Sequence, residues 1–280
     1  MNDYLNVLRI SLLLTALSLL FFSCDNNIEK HYYPNGQLES IGGIKNGLKE
    51  GEWKFYYQDG QLGAVKYYSN DKLDSIAIEY WNHLEIKELA PEYDQLMNFD
   101  STKSLNIKSI KHYRDGRQHG KEIFYFKVGD SRHCLYVNDT LEGPVQVFFK
   151  TGELESQGSY VKDKLEGEYN RYYKNGKLFS KEMYVNDQRQ GLAKAFFRSG
   201  KTKWTVNYVD DRKQGEQKWL SESGNVEAIH TYKDGSAHGE WKSYQVNGKL
   251  KSLAIYEEGK QIGSTIEYDE SGKVTSSPKD

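Results

Sequence analysis

Residues Gly167–Gln190 read GEYNRYYKNGKLFSKEMYVNDQRQ. An adjacent aromatic pair, Tyr172-Tyr173, leads into a Lys-Asn-Gly turn. Asn-Gly between apolar flanks is a strong hairpin signal, because both residues tolerate positive φ. Leu178, Ser180 and Tyr184 mark a second extended run, and Asn186-Asp187 marks a second turn. Two strands and two turns in 24 residues describe one hairpin unit. A helix would need apolar residues three and four apart, and the turn pairs interrupt any such run.

The unit recurs along the chain. With its leading glycine as position 0, that position falls at Gly51, Gly120, Gly143, Gly167, Gly191, Gly215, Gly239 and Gly263. A second glycine nine residues on gives Gly60, Gly129, Gly152, Gly176, Gly200, Gly224, Gly248 and Gly272. Asn27 and Ser75 hold position 0 in the first and third repeats. Ser75 to Gly120 is 45 residues, or 24 plus 21, so a 21-residue insertion is expected within 82–106 of the third repeat. Gly120 to Gly143 is 23 residues, one short of the period. The reading is nine repeats, starting near residues 27, 51, 75, 120, 143, 167, 191, 215 and 239, and a closing half-repeat from 263.

The fold expected is all-β: an elongated single antiparallel meander sheet of stacked 24-residue hairpins. One hairpin alone cannot offset the entropy of ordering its backbone, so neighbours must share ladders and ring contacts. Leu at position 11, Ser or Ala at position 13 and Tyr at position 17 are expected on one face. In the insertion, Pro91 followed by Tyr93, Leu96 and Met97 predicts a short helix.

The first 23 residues read as a signal peptide. A weakly basic start gives way to the apolar run Ile10–Phe22, too short to span a bilayer comfortably. Ser23-Cys24 at its end resembles the lipobox of bacterial lipoproteins, with bulky Phe21 and Phe22 as departures. The resemblance implies that Cys24 is lipidated and becomes the first mature residue, so the repeat domain runs from 24 to 275 with a tail at 276–280. The chain is then expected on the cell envelope, periplasmic or surface-exposed, held by its lipid; without the lipid it is expected to be secreted.

Aromatics make up 14% of the residues, and Gly outnumbers Pro 25 to 4, as in β-rich chains with glycine turns. The 38 basic and 40 acidic residues are interspersed, which argues against nucleic acid as a partner. Beyond Cys24 the one cysteine is Cys134, so no disulfide framework forms.

The GEW starts (Gly51-Glu52-Trp53, Gly239-Glu240-Trp241) and the YYxxG cores (Tyr56 to Gly60, Tyr172 to Gly176) resemble the MORN-repeat variant family. The likeness covers roughly residues 27–275. It implies a sheet of stacked hairpins, and members of the family are often named as antitoxins.

No catalytic motif or cofactor-binding loop is present, and neither an enzymatic role, a cofactor nor a metal is expected. The recurring Glu52, Glu168, Glu216 and Glu240 read as exposed strand starts. The informative feature is the aromatic pair at positions 5 and 6. Neighbours in a strand point to opposite faces, so position 5 is expected on the buried side. Position 6 (Tyr33, Tyr57, Trp81, Phe126, Phe149, Tyr173 and Phe197) is then expected to line a more exposed binding face. It turns polar at Ser221, Gln245 and Asp269. The function expected is a membrane-anchored binding or scaffold module for a protein, glycan or lipid. The alternative is an immunity or antitoxin-type protein that neutralises a toxin by surface contact. Partner identity and oligomeric state are not legible.

Overall fold

A computed structural model describes residues 27–82, 107–127 and 129–276. Cys24, the signal segment and residues 83–106 of the insertion, with the helix expected at Pro91, lie outside the described residues. Among those described there is no helix, and the strands form antiparallel sheet. The chain divides into two units, Met1–Thr140 with Lys150–Gly152, and Leu141–Phe149 with Glu153–Asp280.

In the first unit the strands are β1 (Asn27–Tyr32), β2 (Leu38–Lys45), β3 (Leu48–Tyr56), β4 (Leu62–Ser69), β5 (Lys72–Tyr80), β6 (Ile107–Arg114), β7 (Arg117–Tyr125) and β8 (Ser131–Val137). Each pairs antiparallel with the next. The insertion joins β5 to β6, which are paired like any other hairpin, Tyr80 opposite Ile107. β9 (Thr140–Leu141) follows.

The second unit continues the pattern. Its strands are β10 (Gly143–Phe148), β11 (Leu154–Val161), β12 (Lys164–Tyr172), β13 (Leu178–Val185), β14 (Gln188–Arg189), β15 (Gly191–Phe196), β16 (Thr202–Val209), β17 (Arg212–Leu220), β18 (Val226–Lys233), β19 (Ser236–Tyr244), β20 (Leu250–Glu257), β21 (Lys260–Tyr268) and β22 (Val274–Ser276). β14 and β15 both pair with β13.

Two bulges recur along the repeats and set which side chains share a face. The first skips position 12. In the quoted unit Tyr172 pairs with Leu178 and Arg171 with Ser180, so Phe179 is unpaired. The extra residue puts Leu178 (position 11) and Ser180 (position 13) on opposite faces, which corrects the expectation that they share one. β7 and β8 pair without any shift, Tyr125 with Ser131 and Gly120 with Tyr136. The 23-residue repeat is therefore the one that lacks the bulge residue.

The second bulge is at position 0, where the backbone turns left-handed: Gly167 has φ 80°. Ser75 takes φ 74° at the same place without glycine's freedom.

The two turns also differ in kind. At the Lys-Asn-Gly turn only the glycine is left-handed (Gly176, φ 77°). Gly176 N donates to Tyr173 O and Tyr173 N to Lys177 O, both at 2.8 Å. This is a three-residue loop with a glycine bulge, not the two-residue turn that Asn-Gly suggested. The tight two-residue turn is the second one, with φ 50° at Asn186 and 70° at Asp187.

Positions 2, 4, 13, 15 and 17 make the buried face. Trp53, Ala77, Val145 and Ala193 at position 2 and Ser40, Ala64, Ser109, Ser156 and Ser180 at position 13 are all buried. Facing residues are matched in size. A Cβ on Gly42 would lie 2.3 Å from the Trp53 ring, so the indole that fills this site requires glycine opposite it. Gly158 makes the same room for Tyr169. Trp241 instead stacks on His230, with centroids 4.1 Å apart. Both indoles are also pinned by hydrogen bonds, Trp53 Nε1 to Gly43 O (3.0 Å) and Trp241 Nε1 to Thr231 O (2.9 Å).

Candidate binding surface

The strands end at position 5, so position 6 is the first residue of the loop. Position 5 lies on the face opposite the buried set, because it pairs with position 11. Its rings range from Tyr80, 8% exposed, to Tyr32, 57% exposed. The expectation that position 5 faces the buried side therefore gives way to the register, which the position-12 bulge reverses.

The position-6 side chains reach along the sheet to the next repeat. Tyr33 Oη donates to Tyr56 O at 2.7 Å, Tyr57 Oη to Tyr80 O at 2.8 Å and Trp81 Nε1 to Tyr125 O at 3.3 Å. In the second unit Tyr173 Oη donates to Phe196 O at 2.8 Å. These rings are half-buried; Phe126, which has no hydroxyl and packs on Phe124, is 38% exposed. Serine at Tyr57, Trp81 and Tyr173 would thus remove a clamp between repeats along with the ring.

The polar substitutes farther along do related work. Gln245 Nε2 donates to Tyr268 O (3.1 Å) and Asp269 O (2.8 Å). Ser221 Oγ and Asp269 Oδ1 accept backbone hydrogen bonds of their own loops.

Cations cover the rings. In the first unit Lys108 Nζ and Lys127 Nζ stand 4.9 and 4.8 Å from the Trp81 centroid. In the second, Lys174 lies over Phe149 (5.4 Å), Arg198 over Tyr173 (5.6 Å) and Lys203 over Phe197 (5.8 Å). Sequence reasoning singled out the rings and missed the cations. The signal was present: Lys127, Lys150, Lys174 and Arg198 all follow a position-6 aromatic directly.

Other candidates resolve into structure. Glu52, Glu216 and Glu240 pair with Lys54, Lys218 and Lys242 on their own strands, and Glu168 with Lys181. Cys134 is a buried strand residue whose Sγ donates to Glu122 Oε2 at 3.3 Å. Burial, and then Glu122, push its thiol up to about 12, which suppresses the thiolate. The same two causes, with burial first, push Tyr136 up to about 12. Among the described residues no group of three His, Cys, Asp or Glu is placed to hold a metal.

A chain of hairpins with a 24-residue period, locked by shared bulges and by clamps between repeats, is a β-repeat protein. The model of the MORN repeat variant family matches it six times, at residues 26–46, 49–62, 141–162, 165–186, 213–234 and 237–258, so these segments are repeats of that type. No curated protein sequence matches it.

Among solved structures, a porin-like protein from Bacteroides uniformis aligns over 85% of this chain and 91% of its own, at 9% identity and a TM-score of 0.22. The Tc holotoxin pore of Photorhabdus luminescens aligns over 89% of this chain and 15% of its own, at 13% identity and a TM-score of 0.21. Likeness at that level carries no argument about fold or function.

Proposed function

We propose that the chain is a non-enzymatic binding or scaffold module, held at the cell envelope by a lipid on Cys24. The observation that carries this reading is the recurrence on successive repeats of a position-6 ring with a cation over it, Lys174 and Arg198 reaching back to the preceding repeat and Lys203 covering the ring of its own. Such a row offers a partner similar contacts at a spacing of two strands, about 10 Å. The MORN repeats support the module. The lipid anchor is supported by the sequence alone, from Ser23-Cys24 at the end of the apolar run.

The test is affinity capture with the purified chain under native conditions, paired with membrane fractionation of the Cys24→Ala variant. A specific, saturable partner and loss of the variant from the membrane fraction are expected. A chain that captures nothing, or that hydrolyses glycans in an activity screen, would overturn the reading. The antitoxin alternative rests on the family resemblance, and rescue of cells from a toxin encoded beside the gene would favour it.

A further inference from the structure

Several cations on the strands of this protein are neutralised in place. Lys54, Lys181, Lys218 and Lys242 each meet a glutamate, and Arg189 meets Asp211. Two consecutive loops of the second unit differ. Lys174 and Lys177 flank Asn175-Gly176, and Arg198 and Lys201 flank Ser199-Gly200, with Lys203 just beyond. None of these five has a carboxylate partner among the described residues. They are held in place by neutral groups: Lys177 Nζ donates to Ser199 O (3.2 Å) and Lys201 Nζ to Glu222 O (2.8 Å), while the other three lie over the position-6 rings. The result is a positive cluster without a carboxylate ion-paired to any of its members. Carboxylates flank it: Glu153 closes the loop before, where Lys150 also stands, and Glu155 lies on β11, while Glu222 lies in the loop after and Glu227 on β18.

From this we infer that the two loops form a docking site for a short acidic segment of a partner polypeptide. This rests on reading the chain as a binding module and names where, and to what, it binds. Equivalent cations on adjacent repeats lie about 10 Å apart, two strand spacings. That is also about the advance of three residues in an extended chain, so carboxylates at every third residue would meet successive loops. Phe149, Tyr173 and Phe197 each already have a cation over one face, which a sugar stacking there would have to displace. A broad anionic surface would press against the flanking glutamates, whereas a short segment avoids them.

The experiment measures binding of a labelled Glu-Gly-Ser repeat peptide to the purified chain by fluorescence anisotropy at low and moderate salt. Saturable, salt-sensitive binding is expected, with no binding of the same peptide carrying Gln for Glu. The K174Q/K177Q/R198Q/K201Q/K203Q variant should bind about tenfold or more weakly, and the K177Q/K201Q variant should be intermediate. A K54Q/K218Q/K242Q control should stay within about twofold of the parent. Equal binding by parent and five-site variant would overturn the inference, as would tighter binding of a uronate oligosaccharide or of vesicles rich in anionic lipid. If a native partner is captured and the five-site variant captures it equally well, the inference fails and the binding function stands. If no native partner is captured although the peptide docks as expected, it is the function that fails.

Discussion

The loop Tyr173–Lys177 and the turn Asn186-Asp187 close the two ends of the same strand, β13, and different chemistry stitches them. At the turn, Asp187 N donates to Leu165 O (3.0 Å) while Asp187 Oδ1 accepts from Leu165 N (2.7 Å). Asn186 N donates to Glu166 Oε2 (2.9 Å). The same reciprocal rung recurs at Asp71, Asp163 and Asp211 with Lys49, Leu141 and Arg189. Carboxylates there are spent on backbone N–H groups of the neighbouring repeat. At the loop end the rungs are ring hydroxyls and lysine ammoniums on carbonyl oxygens, and the charge left over is positive. One end is a closed structural ladder, while the other leaves its cations without carboxylate partners.

The largest expected effect comes from breaking a turn rung. Asp187→Ala loses the side-chain acceptor and places alanine at φ 70°, so it should cost about 2 kcal/mol, read as a drop in the urea midpoint. Asp187→Gly keeps the backbone conformation and loses only the rung, as Gly235 does naturally, and should cost about half as much. At the loop end, Tyr173→Phe removes one hydroxyl from Phe196 O and should cost about 1 kcal/mol while leaving peptide binding intact.

Acid tests the turn end more gently. The Arg189 side chain, donating at 2.6 Å, holds the Asp211 carboxyl below its usual range. Its contribution is complete above the ordinary carboxylate range and is lost as pH falls through the lowered value. Arg189→Gln should therefore lower the unfolding midpoint at pH 7 more than at pH 2. Asp211 is exposed and the Arg189 side chain is one-third exposed, so solvent screening keeps the difference small. Smallest of all, the five-site loop variant should shift stability by about 0.5 kcal/mol, since its hydrogen bonds and ring contacts are made at the surface and no carboxylate partner is lost.

How much of this was legible follows from which features leave a residue signature. Glycine at positions 0 and 9 marks backbone that needs a left-handed residue, so the lattice and its interruptions could be counted along the chain. The position-12 bulge left no such mark, because Glu39, Gly63, Phe179 and Lys203 all serve there. Its only trace was the one-residue shortfall between Gly120 and Gly143, and without it Leu178 and Ser180 were placed on one face. The Tyr173 clamp was hidden for another reason. It joins residues 23 apart through a backbone carbonyl, which carries no side-chain identity to read. The cations were visible as letters, but their lack of carboxylate partners was a fact of geometry.

The measurement that tests the account most directly is amide hydrogen exchange of the whole chain with and without the Glu-Gly-Ser peptide. Added protection is predicted at 173–177 and 197–203, with none at the turns 186–187 and 210–211. Protection at those turns, or unchanged exchange throughout, would contradict the division of labour between the two ends.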